Sequence, residues 1–309
     1  MSTQTVTRIP VLYREEEEQR EVRQAKIHFR ISWLRRYADG LIAGIGLAII
    51  VFSIVFAGQL SPHEPTGTMN LAMRLDPPFW MEGGTITHPL GTDAQGRDIL
   101  SRTLHGGQVS LRVAFIASTL ATLGGAAFGL LSGYMGGAVD ILFSRIMDMW
   151  VAFPFLVLAL AVIAAVGNST TILIILLAMA GWVYPARVTR AHTLKLRQLD
   201  YVHAAKALGA SRWHIIQRHI IPNVIPVNII MWTFSVGMMI VVEGSLSYLG
   251  LGVNPPTPSW GNMLSDGQRY MQDAWWPSVI PGMALVLTIL CINSLGDALH
   301  RLGTHQINH

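Results

Sequence analysis

The sequence predicts an all-α, polytopic membrane protein with six transmembrane helices. Hydrophobic residues make up 51% of the 309-residue chain and charged residues only 13%, a balance too apolar for an ordinary soluble domain. A helix needs about 20 apolar residues to cross a bilayer, and six uncharged runs supply such spans. The chain is therefore expected to fold as a bundle of helices within the membrane.

The ends of the uncharged runs define the predicted spans and domains. The spans are placed at Leu41 to Ala57, Val113 to Met135, Trp150 to Gly167, Ile172 to Ala186, Val224 to Val242 and Pro277 to Gly296. Gly167, Asn168 and Ser169 divide the third span from the fourth, which favours a helical hairpin. The transmembrane domain is therefore expected at residues 40–302, between an N-terminal arm at 1–39 and a C-terminal tail at 303–309.

Basic residues predict the orientation, because cytoplasmic loops carry an excess of Lys and Arg. They are dense in the arm and in the loop at 187–223, and sparse in the loops at 58–108 and 251–276. Both termini and the loop at 187–223 are therefore expected in the cytoplasm, and the other two loops outside. The arm lacks an apolar core long enough for a signal peptide, so it favours a basic interfacial helix or, alternatively, a solvated arm.

Small residues in the second span favour close helix packing. Gly125, Gly129 and Gly133 follow one another at intervals of four residues, the G-x-x-x-G spacing that lets helix backbones approach. Packing within the bundle is the predicted role, and a subunit interface is the alternative.

A polar, basic stretch from Asp200 to Pro222 interrupts the apolar body of the chain. It predicts two short helices, at Tyr201 to Leu208 and at Arg212 to Ile221. Gly209 can take a positive φ and close the turn between them, and Ser211 can cap the second helix. Such a corner suits a docking surface for a partner, and the alternative is a loop packed on its own membrane helices.

The second of these helices carries two further expectations. Trp213, Ile216 and Ile220 are predicted to form one apolar stripe at helical spacing. Pro222 is predicted to end the helix, because a proline disfavours the α conformation in the residue before it.

One acidic residue lies among the apolar runs. A charged side chain at the centre of a bilayer costs about 2.5–3.5 kcal/mol on insertion scales. Glu243 follows the fifth span directly, so it is a candidate for a pathway or gating residue. The alternative is a hydrogen-bonded role at a helix interface.

No catalytic motif occurs in the sequence. It has no G-x-x-x-x-G-K-[ST] phosphate loop, so the chain is not expected to hydrolyse ATP by itself. It also has no H-E-x-x-H zinc motif and no G-x-S-x-G nucleophile elbow. The eleven histidines are scattered and Cys291 is the only cysteine, so no metal site is predicted.

Three ordered motifs resemble a known family. The stretch from Asp200 to Pro222 resembles the EAA loop of permease subunits of ATP-binding cassette (ABC) importers. The matching positions are His203, Ala204, Ala205, Gly209, Ile221 and Pro222. LGTDAQGRDILSR (Leu90 to Arg102) and EGSLSYLGLGVNPPTPSWGNML (Glu243 to Leu264) look like the dipeptide, oligopeptide and nickel permease subfamily. One departure is His203, which stands where the family has Glu.

The resemblance implies a fold, a location and partners. The fold would be that of a type I ABC importer permease, the second or C-type permease of a pair, in the bacterial inner membrane. The implied partners are a homologous permease, two ABC ATPase subunits that bind ATP and Mg, and an external substrate-binding protein; nucleic acid is not among them. No cofactor is expected in this chain.

The resemblance also implies roles for two groups of residues. The ATPase subunits would dock on the cytoplasmic loop through His203, Ala204, Ala205, Lys206, Gly209, Ala210, Ser211 and Pro222. An external protein would contact the outer motif of Asp93, Gly96, Arg97 and Asp98. The alternative for the outer motif is a stabilised loop beside the membrane.

The expected function is half of the translocation path of an ATP-driven peptide importer. Relatives in this family also carry nickel chelates, oligosaccharides or opines, so these cargoes stay open. An ion-coupled transporter would need buried acids at mid-membrane, for which Glu243 is the candidate. The sequence offers no pair of nucleophile and base that would support an intramembrane enzyme.

Overall fold

The computed structural model describes residues 40–67 and 69–305, with side chains to residue 301. The predicted N-terminal arm at 1–39 lies outside the described residues, as do residues 306–309 of the predicted tail. Between these limits the regular structure is helical, apart from one isolated β-bridge between Thr92 and Asp98. The all-α prediction is confirmed.

The described chain contains helices that we number in order. They are α1 (Gly40–Val55), α2 (Ala57–Leu60), α3 (Ile99–Met135), α4 (Gly137–Ala152), α5 (Phe155–Val166), α6 (Thr170–Gly181), α7 (Val183–Arg197), α8 (Asp200–Ala207), α9 (Arg212–Ile215), α10 (Ile221–Tyr248), α11 (Trp260–Gln268) and α12 (Trp276–His305). A short 3₁₀ helix (Leu71–Met73) precedes α3, and a π-helix (Ile216–Ile220) joins α9 to α10.

Four helical segments are long and apolar enough to cross a bilayer. They are Ile99–Met135, Thr170–Arg197, Arg212–Tyr248 and Trp276–Arg301. The pair α4 and α5 would make a fifth span, although the two helices are bent by 82° at their junction. The first predicted span corresponds to the shorter apolar helix α1. By length and composition the described helices thus provide four spans, or five with the bent pair, where the sequence predicted six.

The third predicted span is not one straight helix. α4 ends at Ala152, the backbone of Phe153 is extended, and Pro154 is the N-cap residue of α5. Because proline pushes the preceding residue out of the α conformation, the chain changes direction at this point. The predicted break after this span is confirmed, since Gly167 ends α5 with a φ of 90° and the side chain of Ser169 caps α6.

The long helix α3 lies at the centre of the bundle and packs against α6, α7, α10 and α12. Its glycines allow the backbone of α7 to come unusually close. A Cβ at Gly125 would lie 2.3 Å from the carbonyl oxygen of Trp182, and one at Gly129 would lie 2.2 Å from that of Ala186. The small-residue spacing therefore serves packing within this chain, as predicted.

Two ion pairs that no sequence spacing predicted tie α7 to α4. Nε of Arg190 lies 2.5 Å from Oδ1 of Asp140, which also accepts a hydrogen bond from Ser132 of α3. Near the other end of α4, Arg187 donates to Asp148 over 2.8 Å, but both of these side chains are exposed. The pair of Asp140 and Arg190 thus links three helices next to the polar stretch that begins after α7.

Candidate functional site

The polar stretch forms a compact unit at one end of the bundle, and we call residues 200–222 the α8–α9 segment. One small apolar cluster attaches it to the long helices. Val202, Ile215 and Ile220 are buried together with Val224 of α10. Around them pack partly buried side chains of α3 and α7, namely Leu130, Tyr134 and Leu196. Within the part of the chain that the structure describes, this cluster attaches one face of the segment to the bundle.

The turn between α8 and α9 forms as predicted. Gly209 has a φ of +83°, which favours glycine. Its N–H donates to the carbonyl of Lys206, and the N–H of Ala210 donates to that of Ala205, each over 3.0 Å. These two bonds satisfy the last carbonyls of α8 in the arrangement known as a Schellman motif. The hydroxyl of Ser211 then accepts from the N–H of His214 and caps α9.

The other face of the segment is exposed. The side chains of His203, Ala204 and Lys206 lie on it, and Leu208 is 88% exposed at its corner. A Cβ at Gly209 would meet no atom of the described residues within 4 Å, so this part of the structure leaves the turn open. Of the other residues that the resemblance assigned to docking, Ser211 and Pro222 are exposed, whereas Ala205 and Ala210 are partly buried.

The predicted apolar stripe of α9 is wrong. Ile215 and Ile220 face the bundle, while Trp213 is 62% exposed. The reason is the π-helix at Ile216–Ile220, whose wider turn brings residues five apart onto one side instead of three or four apart. The exposed indole therefore belongs to the open face of the α8–α9 segment.

The predicted end of the second helix at Pro222 is also wrong. The chain passes from the π-helix directly into α10, and Pro222 lies in the first turn of that helix. The N–H of Ile221 donates to the carbonyl of Ile216, which closes the π turn just before the proline. The π turn already replaces the regular hydrogen bonds between residues four apart just before Pro222, and those are the bonds that a proline would interrupt. The α8–α9 segment is thus continuous with a helix that runs to Tyr248.

The outer motif brings its four predicted residues together beside the start of α3. Asp93 accepts from Nε of Arg97 at 2.8 Å and lies 3.4 Å from Nε of the buried Arg102. Asp98 caps α3 by accepting from the N–H and hydroxyl of Ser101, both at 2.7 Å. Gly96 has a φ of +73°, and a Cβ there would lie 1.9 Å from the carbonyl oxygen of Asn70. Each residue of the motif therefore has a partner within its own chain.

A small polar cavity adjoins the outer motif. Asp93, Arg97 and Arg102 line one side of it, and Asp266 and Arg269 line the other. Burial raises the pKa of the Asp266 carboxyl, while the charges of Arg102 and Arg97 act in the opposite direction. The cavity therefore joins the outer motif to the α11 region through charged side chains.

Glu243 is fully buried in α10. Its Oε1 accepts a hydrogen bond from the Ser247 hydroxyl at 2.7 Å, and its Oε2 has no hydrogen-bond partner among the described residues. The hydroxyls of Ser110 in α3 and Ser259, the cap of α11, lie near the carboxyl group. This position between three helices fits the interface role better than a role in an open pathway.

An apolar groove lies between α3 and α10. Phe115 and Leu123 line it from α3, and Ile225, Ile229 and Trp232 line it from α10. The indole N–H of Trp232 donates to the hydroxyl of Thr119 at 3.0 Å, which satisfies its one polar group. The groove therefore presents an almost wholly apolar surface.

Comparisons with known proteins identify the family. Residues 125–303 match the family described as the inner membrane component of binding-protein-dependent transport systems. A probable D,D-dipeptide transport system permease protein of Escherichia coli strain K12 is 36% identical over 256 residues, which cover 83% of this chain and 84% of that protein.

Two further relatives agree with this assignment. A di/tripeptide transport system permease protein of Pseudomonas aeruginosa is 36% identical over 82% of this chain and 83% of its own length. A glutathione transport system permease protein of Pectobacterium atrosepticum is 35% identical over 88% of this chain and 89% of its own length. The resemblance to importer permeases is thus confirmed, and the chain belongs to the family of inner membrane components of binding-protein-dependent transport systems.

Proposed function

We propose that this chain is a permease subunit of an ATP-driven peptide importer and forms half of its translocation path. The observation that carries the proposal is the α8–α9 segment, a small, polar, basic unit that is exposed on one face and continuous with a membrane-spanning helix. The relatives named for D,D-dipeptides, di- and tripeptides and glutathione support a short peptide as the cargo. Nickel chelates, oligosaccharides and opines are the alternative cargoes.

The open face of the α8–α9 segment is the proposed docking surface for the ATPase subunits. The small side chains of α8 leave room for a partner's backbone, and Leu208 and Trp213 offer apolar surface that the described residues leave uncovered. Lys206 and Arg212 add positive charge at its edge. Because His203 replaces an acid, docking is proposed to rest on these apolar and backbone contacts. ATP and Mg would bind to the ATPase subunits.

Coupling follows from how the segment is attached. A force on α8 reaches α10 by two routes, through the buried cluster around Val202 and through the continuous backbone from α9. The ion pair of Asp140 and Arg190 fixes α7 to α4, so that a force on the α8–α9 segment would move these helices with it. Closure of the ATPase subunits would therefore tilt long helices and rock one permease half against the other.

The same proposal includes the orientation of the chain in the membrane and the surfaces that its other partners would contact. The distribution of Lys and Arg supports a cytoplasmic α8–α9 segment and two cytoplasmic termini, with the outer motif on the opposite side. The apolar groove between α3 and α10 suits the second permease, whose matching surface would complete the path. The outer motif and α11 would face the substrate-binding protein.

Replacement of Gly209 tests the proposal. A β-branched residue at a φ of +83° is strained by about 1–2 kcal/mol, so Gly209→Val should disturb the turn without touching any membrane-spanning helix. The variant chain should insert into the membrane normally. Its reconstituted complex should lose ATPase subunits or hydrolyse ATP without transport. Gly209→Asn is the matched control, because asparagine tolerates a positive φ and the described residues leave free space at this position.

The measurement is peptide uptake and ATP hydrolysis at matched membrane expression. Retention of both activities at the unsubstituted level in Gly209→Val would contradict a coupling role for the α8–α9 segment. An ion-coupled transporter would instead show peptide uptake that depends on an ion gradient and not on ATP.

A further inference from the structure

Two histidines and an aspartate meet where the outer loop reaches the first turn of α3. They are His63, His88 and Asp98, and one potential ligand atom from each lies within 4.8 Å of the others. The imidazole rings of His63 and His88 stack with their centroids 4.4 Å apart. Nδ1 of His88 lies 3.2 Å from Oδ1 of Asp98. His88 and Asp98 are buried, whereas His63 is exposed.

Hydrogen bonds to Ser101 hold this group in place. Oδ2 of Asp98 accepts from both the N–H and the hydroxyl of Ser101, so Oδ1 is the oxygen directed at His88. The backbone N–H of His63 donates to the same hydroxyl at 3.2 Å. The backbone of His63 and the side chain of Asp98 are therefore both tied to Ser101 in the first turn of α3, although their positions differ by 35 in the sequence.

The distances suit a small transition-metal ion. Ligands that lie about 2.0–2.1 Å from one zinc ion at ordinary angles are about 3–3.4 Å apart. The separation of 3.2 Å between His88 and Asp98 already falls in that range. His63 must move closer, and its exposed side chain has the freedom to do so.

The chemistry of the ligands narrows the choice of ion. Imidazole nitrogen suits zinc and its neighbours in the transition series, whereas Mg²⁺ and Ca²⁺ prefer oxygen ligands throughout. The positive end of α3 disfavours a cation, but the Asp98 carboxylate lies between the helix N-terminus and the proposed position of the ion. The same carboxylate thus offsets the positive end of the helix and supplies a ligand oxygen.

We propose that His63, His88 and Asp98 bind one Zn²⁺-like ion, with a fourth position open to water on the exposed side. The ion would take the place of the hydrogen bond between His88 and Asp98. Binding would fasten the loop around His63 to the start of α3, next to the outer motif. The site is separate from Asp93, whose carboxylate is already engaged by Arg97 and Arg102.

Zinc titration of the purified full-length protein tests the site. The protein should carry a tag without histidine and the substitution Cys291→Ala, so that no thiol competes. Isothermal titration should detect a site whose affinity falls at least about tenfold in His63→Ala, since one of three ligands is lost. Co²⁺ bound in place of Zn²⁺ should give visible absorption that His63→Ala removes.

Two further variants keep the result interpretable. His105→Ala is the matched control, because His105 lies nearby and contacts Ser61 and the carbonyl of Ser101 but is not in the ligand group. It should bind zinc like the parent protein. Asp98→Asn retains an N-cap oxygen but lacks the charge, so it should fold and bind zinc more weakly. Equal affinity in His63→Ala and the parent, or no binding by the parent, would overturn the proposal.

Discussion

Gly209 and Gly96 both have a positive φ, but their surroundings differ. Their φ angles are +83° and +73°, and each closes a turn beside a helix. No atom of the described chain lies within 4 Å of a Cβ placed at Gly209, whereas a Cβ at Gly96 would lie 1.9 Å from the Asn70 carbonyl oxygen. A positive φ alone therefore does not distinguish an open turn from a packed one, and the free space around the glycine does.

Polar residues in the two regions differ in the same way. In the outer motif Asp93 and Asp98 are buried and engaged by Arg97, Arg102 and Ser101. On the open face of the α8–α9 segment, His203 and Lys206 are exposed, and Leu208 lies beside them with its apolar surface uncovered. A region whose groups bind one another holds the fold, and a region whose groups face outward is available to a partner.

The largest effect on stability is expected from removal of the buried Asp93 carboxylate in the outer motif. Asp93→Ala leaves Arg102, which is 3% exposed, without its closest acid, and breaking a buried pair costs about 3–5 kcal/mol. Thermal unfolding in detergent should show a strongly destabilised protein. Asp148→Ala is the matched control, because its partner Arg187 is exposed and such pairs contribute about 1 kcal/mol or less. Similar losses in the two variants would contradict the contrast between the regions.

Smaller effects on stability are expected when Gly96 and Gly209 are each replaced by alanine in separate variants. Gly96→Ala combines strain at positive φ with a clash against backbone, so it should cost about 2–4 kcal/mol of unfolding free energy. The new methyl group of Gly209→Ala meets no atom of the described residues, so this variant should cost only the strain of about 1–2 kcal/mol. Unfolding midpoints of the two purified variants measure the difference. Equal costs would show that free space around the turn does not matter.

The smallest effect is expected at His203. Its imidazole is exposed and makes no described hydrogen bond, so His203→Ala should change the unfolding free energy by less than about 0.5 kcal/mol. Uptake and ATPase co-purification should also stay near the parent level if apolar and backbone contacts carry docking. Loss of the ATPase subunits from this variant would show instead that the imidazole takes the place of the family's acid.

The sequence by itself determined the features that depend on composition or on a few neighbouring residues. Apolar runs predicted the helical membrane bundle, because a span needs length and the absence of charge and little else. The turn at Gly209 and the cap at Ser211 also followed from sequence, since the bonds that form them join residues at most five apart. Recognition of the family rested on three such local motifs.

Only the tertiary structure decided which residues meet across the chain. The pair of Asp140 and Arg190 joins positions 50 residues apart, and His63, His88 and Asp98 come together from the segment before α3 and the N-cap of α3. No spacing rule predicts such contacts, because they depend on how whole helices and loops pack. The π-helix before Pro222 is a related case, in which the burial of Ile215 and Ile220 against the bundle accompanies a turn wider than the helical period that the sequence pattern assumes.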